Sequence, residues 1–176
     1  TVENAVSADS YRPDDIIEMY NKKTVEVGNT DAEGRIILAD ALSYACTLNP
    51  KEIIDFATLT GACVVALGLQ AAGLFVREEH QSFATNLMRA AQTSGDRVWQ
   101  LPLYDEYIEA MKGDITDVKN ISADRYAGAG TAAGFLSYFV DKKIPWAHLD
   151  IAGAGRNEKS SKYFQKGASG FGVALI

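Results

Sequence analysis

Residues 52–59, EIIDFATL, constrain the fold more than any other stretch of this sequence. Their apolar positions lack the strict alternation of a strand that faces water on one side. They predict a short strand covered on both faces, as in a parallel sheet. Such a strand needs flanking helices, and the chain supplies them. Residues 33–48 are helix formers without proline, with Pro50 just beyond as a stop, and Asp40, Ser43 and Thr47 leave only a narrow polar stripe. That pattern predicts a largely buried helix. Residues 71–76 read as another strand, and residues 78–93 carry Phe83, Leu87 and Ala91 at helical spacing before the stop at Gly95. Residues 98–103 are extended around Pro102, 105–112 and 131–141 read as helices, and 146–151 as a further strand. Upstream, residues 1–15 form an irregular lead-in ending in YRPDD, and residues 16–28 place IIEMY and TVEVG on either side of the turn Asn21-Lys22-Lys23. Strands alternating with helices predict an α/β fold with a mostly parallel or mixed sheet flanked by helices.

A chain of 176 residues with 47% hydrophobic composition is long enough for one globular domain with a real core. With 23 acidic against 17 basic residues, the formal charge of −6 argues against nucleic acid as a partner. Cys46 and Cys63 lie inside apolar runs without CxxC spacing, so they read as buried free thiols rather than zinc ligands or a disulfide. The most apolar stretch, residues 61–75, is too short and glycine-rich to span a bilayer. These features predict a cytoplasmic protein without a membrane partner. The chain begins at Thr1 and ends within the apolar run GFGVALI, which reads as a piece of a longer polypeptide.

Ligands of open α/β sheets gather beyond the carboxyl ends of strands. Three segments occupy such ends: NTDAEGR (29–35) after the strand 24–27, ATLTG (57–61), and DIAG (150–153). They are expected to converge on one cleft. A purely structural account of NTDAEGR is a capping box, with Thr30 capping the helix and Glu33 reaching back to the Thr30 amide. It leaves two features unexplained. Asp31 and Glu33 put two carboxylates within one turn, a donor set suited to divalent cations. Arg35 places a positive charge in the first turn of a helix, where the macrodipole disfavours it unless an anion is near. Carboxylates, a metal and an anion-holding arginine suit hydrolysis, because metal ions generate hydroxide at neutral pH and polarise carbonyls.

NTDAEGR followed by IILADAL resembles the signature of the cytosolic leucine aminopeptidase family. The likeness continues in ENAVSADSYRPDD, ATLTGAC, SGDRVWQLPL, the glycine-alanine run near Gly128, WAHLDIAG and KGASGFG. The resemblance implies a leucine aminopeptidase-like fold, with residues 1–176 as the C-terminal part of its catalytic domain. It implies a dinuclear metal-dependent aminopeptidase that releases N-terminal, leucine-like residues from peptide substrates. By the same resemblance Asp31 and Glu33 are metal ligands, Glu33 bridging two divalent ions, manganese or zinc, and Arg35 holds a bicarbonate that acts as general base. Asn29, Thr58, Leu59, Gly61 and Ala152 would line the substrate cleft, and the complete protein would be a homohexamer.

One departure from the family pattern matters. The family completes its metal pair with two aspartates and a lysine, and polarises the substrate carbonyl with a second lysine, all around an upstream motif resembling GKGxxFDSGG. No such motif occurs here, and Asp14, Asp15, Lys22 and Lys23 read as solvated loop charges. The chain alone is therefore expected to bind divalent metal weakly and to be inactive. Two other classes remain open. Gly128, Gly130 and Ala133 spell GxGxxA with Asp150 about twenty residues on, imitating an NAD-type dinucleotide fingerprint but without the strand it needs before the first glycine. Small residues allowing close helix packing are the simpler reading. A noncatalytic, oligomer-forming domain is the other. His80 reads as exposed and His148 as a hydrogen-bonded core residue, while Lys159, Ser160, Ser161 and Lys162 read as a surface loop.

Overall fold

The computed structural model describes residues 7–160 and 165–176, so most of the lead-in is covered from residue 7 on, while Ser161 and Lys162 lie outside the described residues. The chain opens with a hairpin of β1 (Ile16–Glu18) and β2 (Thr24–Glu26), antiparallel with Ile17 opposite Val25. The turn between them places Lys22 at φ 71. A 3₁₀ turn (Thr30–Ala32) runs into α1 (Glu33–Thr47). Next come β3 (Ile53–Ala57), α2 (Gly61–Leu67), β4 (Ala72–Val76), α3 (Gln81–Ser94) and β5 (Val98–Gln100). The remaining elements are α4 (Asp105–Glu109), β6 (Val118–Lys119), α5 (Gly128–Ser137), β7 (Trp146–Asp150), β8 (Arg156–Asn157) and β9 (Gly167–Ala168).

The main sheet has the order β3-β7-β4-β5 and is mixed. β3 and β7 run parallel, β7 and β4 antiparallel, and β4 and β5 parallel. The cause lies in α2. Its seven residues extend only about 10 Å, too short to carry the chain back across the sheet, so β4 re-enters at the edge where β3 left. The longer α3, by contrast, makes a full crossover between β4 and β5. Leu74, Val76 and Leu149 pack with Phe83 and Leu87 of α3 on one face. Ile53 and Trp146 pack with Ile36 and Leu42 of α1 and Phe135 of α5 on the other. The result is a helix–sheet–helix sandwich.

The hairpin belongs to a separate sheet, β1-β2-β6, in which β2 and β6 are parallel with Glu26 opposite Lys119. The NTDAEGR run therefore leaves a strand of this smaller sheet, not of the main one. Helix α1 is less covered than its composition predicts. Ile36, Ala39, Leu42 and Ser43 are buried, but Ile37, Tyr44 and Leu48 lie outward and are more than half exposed. Ser43 of the supposed polar stripe faces the core, where its hydroxyl donates to the Phe139 carbonyl. Helix α4 ends at Glu109 rather than near 112, because Met111 is wholly buried and Lys112 bridges to Val118.

Candidate active site

The loops after β2 and β3 meet in a cleft of about 350 Å³. Asn29, Asp31, Glu33 and Arg35 line one wall, Thr58, Leu59, Thr60 and Gly61 the other, with Ile121 and Gly128 between them. Seven of the eight residues singled out from the sequence thus share one cavity. Ala152 does not line it. Its amide instead donates to Asp150 Oδ1 at 3.1 Å, beside the second wall.

The local geometry of the first wall differs from a capping box. Asn29 is extended, and its Oδ1 accepts the Asp31 amide at 2.9 Å, capping the 3₁₀ turn. Helix α1 then continues from that turn with Ala32 at its N-cap and no side-chain cap. The reciprocal pair of Thr30 and Glu33 does not form, because the cap of this turn is Asn29, one residue earlier, whose side chain takes the Asp31 amide and whose carbonyl takes the Ala32 amide. Glu33 is thereby left to the cleft, half-buried, next to an exposed Asp31. Among the described residues, Asp31 and Glu33 are the only carboxylates lining this cavity. Among the described residues, no group of three or more His, Cys, Asp or Glu could hold a metal ion.

Arg35 is half-buried, and its Nη1 donates to the Asn120 carbonyl at 2.8 Å. Among the described residues it forms no ion pair with a carboxylate. Burial lowers its pKa from the usual guanidinium value, while the charge of Asp150 acts in the opposite direction. A partly desolvated positive charge beside two carboxylates is a suitable seat for a small anion. Tyr11, in the lead-in, does not line the cleft, but its phenol pKa is raised by burial and by the negative charge of Glu33.

Two buried polar side chains hold the walls. Asn120 is fully buried one residue beyond β6. Its Oδ1 accepts the amides of Gly28 and Asn29 at 2.8 and 3.2 Å, and its Nδ2 donates to the carbonyls of Asn29 and Ala32 at 2.7 and 3.4 Å. Asp150 is equally buried at the end of β7, opposite Ala57. It accepts from the amides of Leu59, Thr60 and Ala152, and from the Thr60 hydroxyl at 2.6 Å. In both cases a parallel strand pair brings the anchor level with the loop it holds. The sequence marks Asp150 as the start of the strand-end segment DIAG and as part of a dinucleotide-like spacing, not as an anchor, and gives no sign of Asn120, which lies in KNISADRYA outside any recognisable period. The signal available was the parallel register of β2 and β6, visible only in the fold.

The other constellations resolve structurally. Gly128, Gly130 and Ala133 lie inside α5 rather than in a strand-to-helix turn. A Cβ at Gly130 would meet the Tyr107 ring at 2.5 Å, and one at Gly134 the Tyr107 carbonyl oxygen at 2.7 Å, so these glycines let α4 approach α5. His148 is buried with Nδ1 2.6 Å from Asp55 Oδ1. His80 is half-buried, with its Nε2 2.9 Å from the Lys142 carbonyl oxygen. Lys22 pairs with Glu18, Asp15 accepts the Arg12 amide, and none of Asp14, Asp15, Lys22 and Lys23 lines the cleft. Both cysteines are free, Cys63 buried and Cys46 half-buried.

The chain is similar to known proteins of one family. A model described as the catalytic domain of the cytosol aminopeptidase family matches residues 1–176. The chain is 51% identical over 174 residues to a probable cytosol aminopeptidase of Sulfurihydrogenibium sp., covering 99% of this chain and 34% of that protein. It is 52% identical to a counterpart in Persephonella marina, covering 99% of this chain and 35% of that protein. Among solved structures, a mutant of tomato leucine aminopeptidase superposes with a TM-score of 0.90 at 45% identity, over 98% of this chain and 33% of that one. The chain spans about a third of the length of the curated relatives it matches.

Proposed function

The chain belongs to the cytosol aminopeptidase family, and from that membership we propose that it supplies the C-terminal part of a metal-dependent aminopeptidase catalytic domain. The observation that carries the reading is the cleft in which Asp31, Glu33 and Arg35 face the ATLTG loop. The donor chemistry fits divalent metal, since two carboxylates in one turn offer the hard oxygens that manganese and zinc accept. It fits as half of a site, because two carboxylates alone offer too few ligands for a pair of divalent ions. The remaining ligands would come from the part of the relatives' length that this chain does not span.

In the complete centre, Asp31 and Glu33 would hold metal, which would supply a nucleophile at neutral pH and polarisation of the scissile carbonyl. Arg35 would hold an anion, bicarbonate in this reading, beside the carboxylates, and that anion would supply a general base. Asn29, Thr58, Leu59 and Gly61 bind the peptide, with the Leu59 backbone orienting it and Thr58 and Gly61 shaping the pocket for the N-terminal side chain. Ala152 contributes through the Asp150 anchor it shares with that loop. Peptides with leucine-like N-termini are the substrates, and the complete protein is a cytoplasmic homohexamer, as the relatives' name and the family resemblance suggest.

The test uses the full-length polypeptide and a leucine anilide. Metal-dependent release of the aniline should be abolished by Glu33→Gln, by at least about a thousandfold in kcat. Undiminished activity of Glu33→Gln would refute the assignment. NADH should leave the melting temperature unchanged while manganese raises it; the reverse would restore the dinucleotide reading.

A further inference from the structure

We propose that Asn120 is a positioning residue for the metal-binding half of the cleft, acting on it separately from Asp150, which holds the peptide-binding half. The inference rests on the function proposed above and adds a residue to it. Asn120 uses every hydrogen-bonding capacity of its side chain on one short segment. Its oxygen takes the amides of Gly28 and Asn29, and its nitrogen gives to the carbonyls of Asn29 and Ala32. Its backbone carbonyl takes the Arg35 guanidinium, and its amide donates to the Glu26 carbonyl. One fully buried residue therefore touches the backbone on both sides of Asp31 and the side chain of Arg35. A carboxylate ligand is only as well placed as the backbone that carries it, and the lost aim after removal of such a support typically costs about 10 to 100-fold in metal affinity or activity.

The division of labour is visible in what each anchor does not touch. No hydrogen bond of Asn120 reaches residues 57–61, and none of Asp150 reaches residues 28–35. Asp150 acts on the first wall only through its charge on Arg35. A residue that merely stabilises the fold would degrade both halves together, whereas separate anchors predict separate kinetic signatures.

The experiment uses the full-length polypeptide, with Mn²⁺ affinity measured by calorimetry alongside kcat and KM on a leucine anilide. Asn120→Ala should weaken Mn²⁺ binding and lower kcat by about tenfold or more, with KM within about twofold. Thr60→Val, which removes the hydroxyl bond to Asp150, should raise KM and leave Mn²⁺ affinity within about twofold. Asn120→Asp keeps the acceptor for Gly28 and Asn29 but loses the donor to Asn29 and Ala32. It should fall between the parent and Asn120→Ala, and it decides the matter if Asn120→Ala does not fold. Failure of both Asn120 variants to fold, or equal losses of Mn²⁺ affinity in Asn120→Ala and Thr60→Val, would overturn the proposal. So would an Asn120→Ala protein matching its parent while Glu33→Gln is inactive. An active Glu33→Gln would instead overturn the function itself, and this inference with it.

Discussion

Asp150 has no exposure to solvent, and an ionised carboxylate is tolerated there only because its oxygens accept hydrogen bonds from three amides and a hydroxyl. Its neighbour Cys63 feels the consequence. The thiol donates to the Asp150 carbonyl at 3.6 Å, and burial, with the Asp150 charge adding to it, pushes its pKa from 9.0 up to about 11. A group whose folded pKa lies above its unfolded value contributes stability that is complete below the unfolded pKa and lost as pH rises through the folded one. The thermal stability of the parent should therefore fall between pH 9 and pH 11, and Cys63→Ala should flatten that decline. Parallel melting curves for the two proteins across this range would contradict it. At this scale the sequence was a good guide to side chains that touch the cleft and a poor one to those that hold it. Asp31, Glu33 and Arg35 stand out because two carboxylates and an arginine at a helix start are chemically conspicuous. An asparagine in an irregular loop is not, and its role depends on a strand pairing about ninety residues apart in sequence, as the Gly28 to Asn120 separation of 92 illustrates.

Helix α5 packs by backbone proximity, and its glycines differ from that of α1 in what surrounds them. Gly134 faces the Tyr107 carbonyl, which cannot swing aside. Gly134→Ala should cost about 1 to 3 kcal/mol in urea denaturation. Gly34, in the first turn of α1, has nothing within 4 Å of a Cβ placed on it. Gly34→Ala should be neutral or stabilising by up to about 1 kcal/mol, since helical glycine is intrinsically unfavourable. Comparable destabilisation by both substitutions would show that close approach is not what Gly134 provides. The element-level reading of the sequence succeeded where periodicity was strong. Phe83, Leu87 and Ala91 sit on the buried face of α3, and Gly95 ends it in the left-handed conformation at φ 84. It failed for α2, whose seven residues are too few to display a period and whose start is marked only by Thr60, which accepts the Cys63 amide at 3.0 Å. It overestimated the burial of α1, because an apolar sequence on every side of a helix does not by itself say which sides are covered.

At the level of the molecule, the order of strands decides where the chemistry lies. β3 and β7 are adjacent and parallel, so ATLTG and DIAG emerge at one edge, and the second small sheet delivers NTDAEGR to the cleft that ATLTG lines, while DIAG stands behind it through Asp150 rather than lining it. The alternation of strands and helices was legible in the sequence, but the antiparallel step between β7 and β4 was not, since it follows from the shortness of α2 rather than from any strand's composition. The cleft that results holds two carboxylates and an arginine, half of the centre that the family resemblance implies. A calorimetric titration of Mn²⁺ into residues 1–176 alone tests this most directly. One weak event is expected, with a dissociation constant on the order of 10⁻⁴ M or weaker, that disappears in Glu33→Gln. Tight binding of two manganese ions per chain would contradict it.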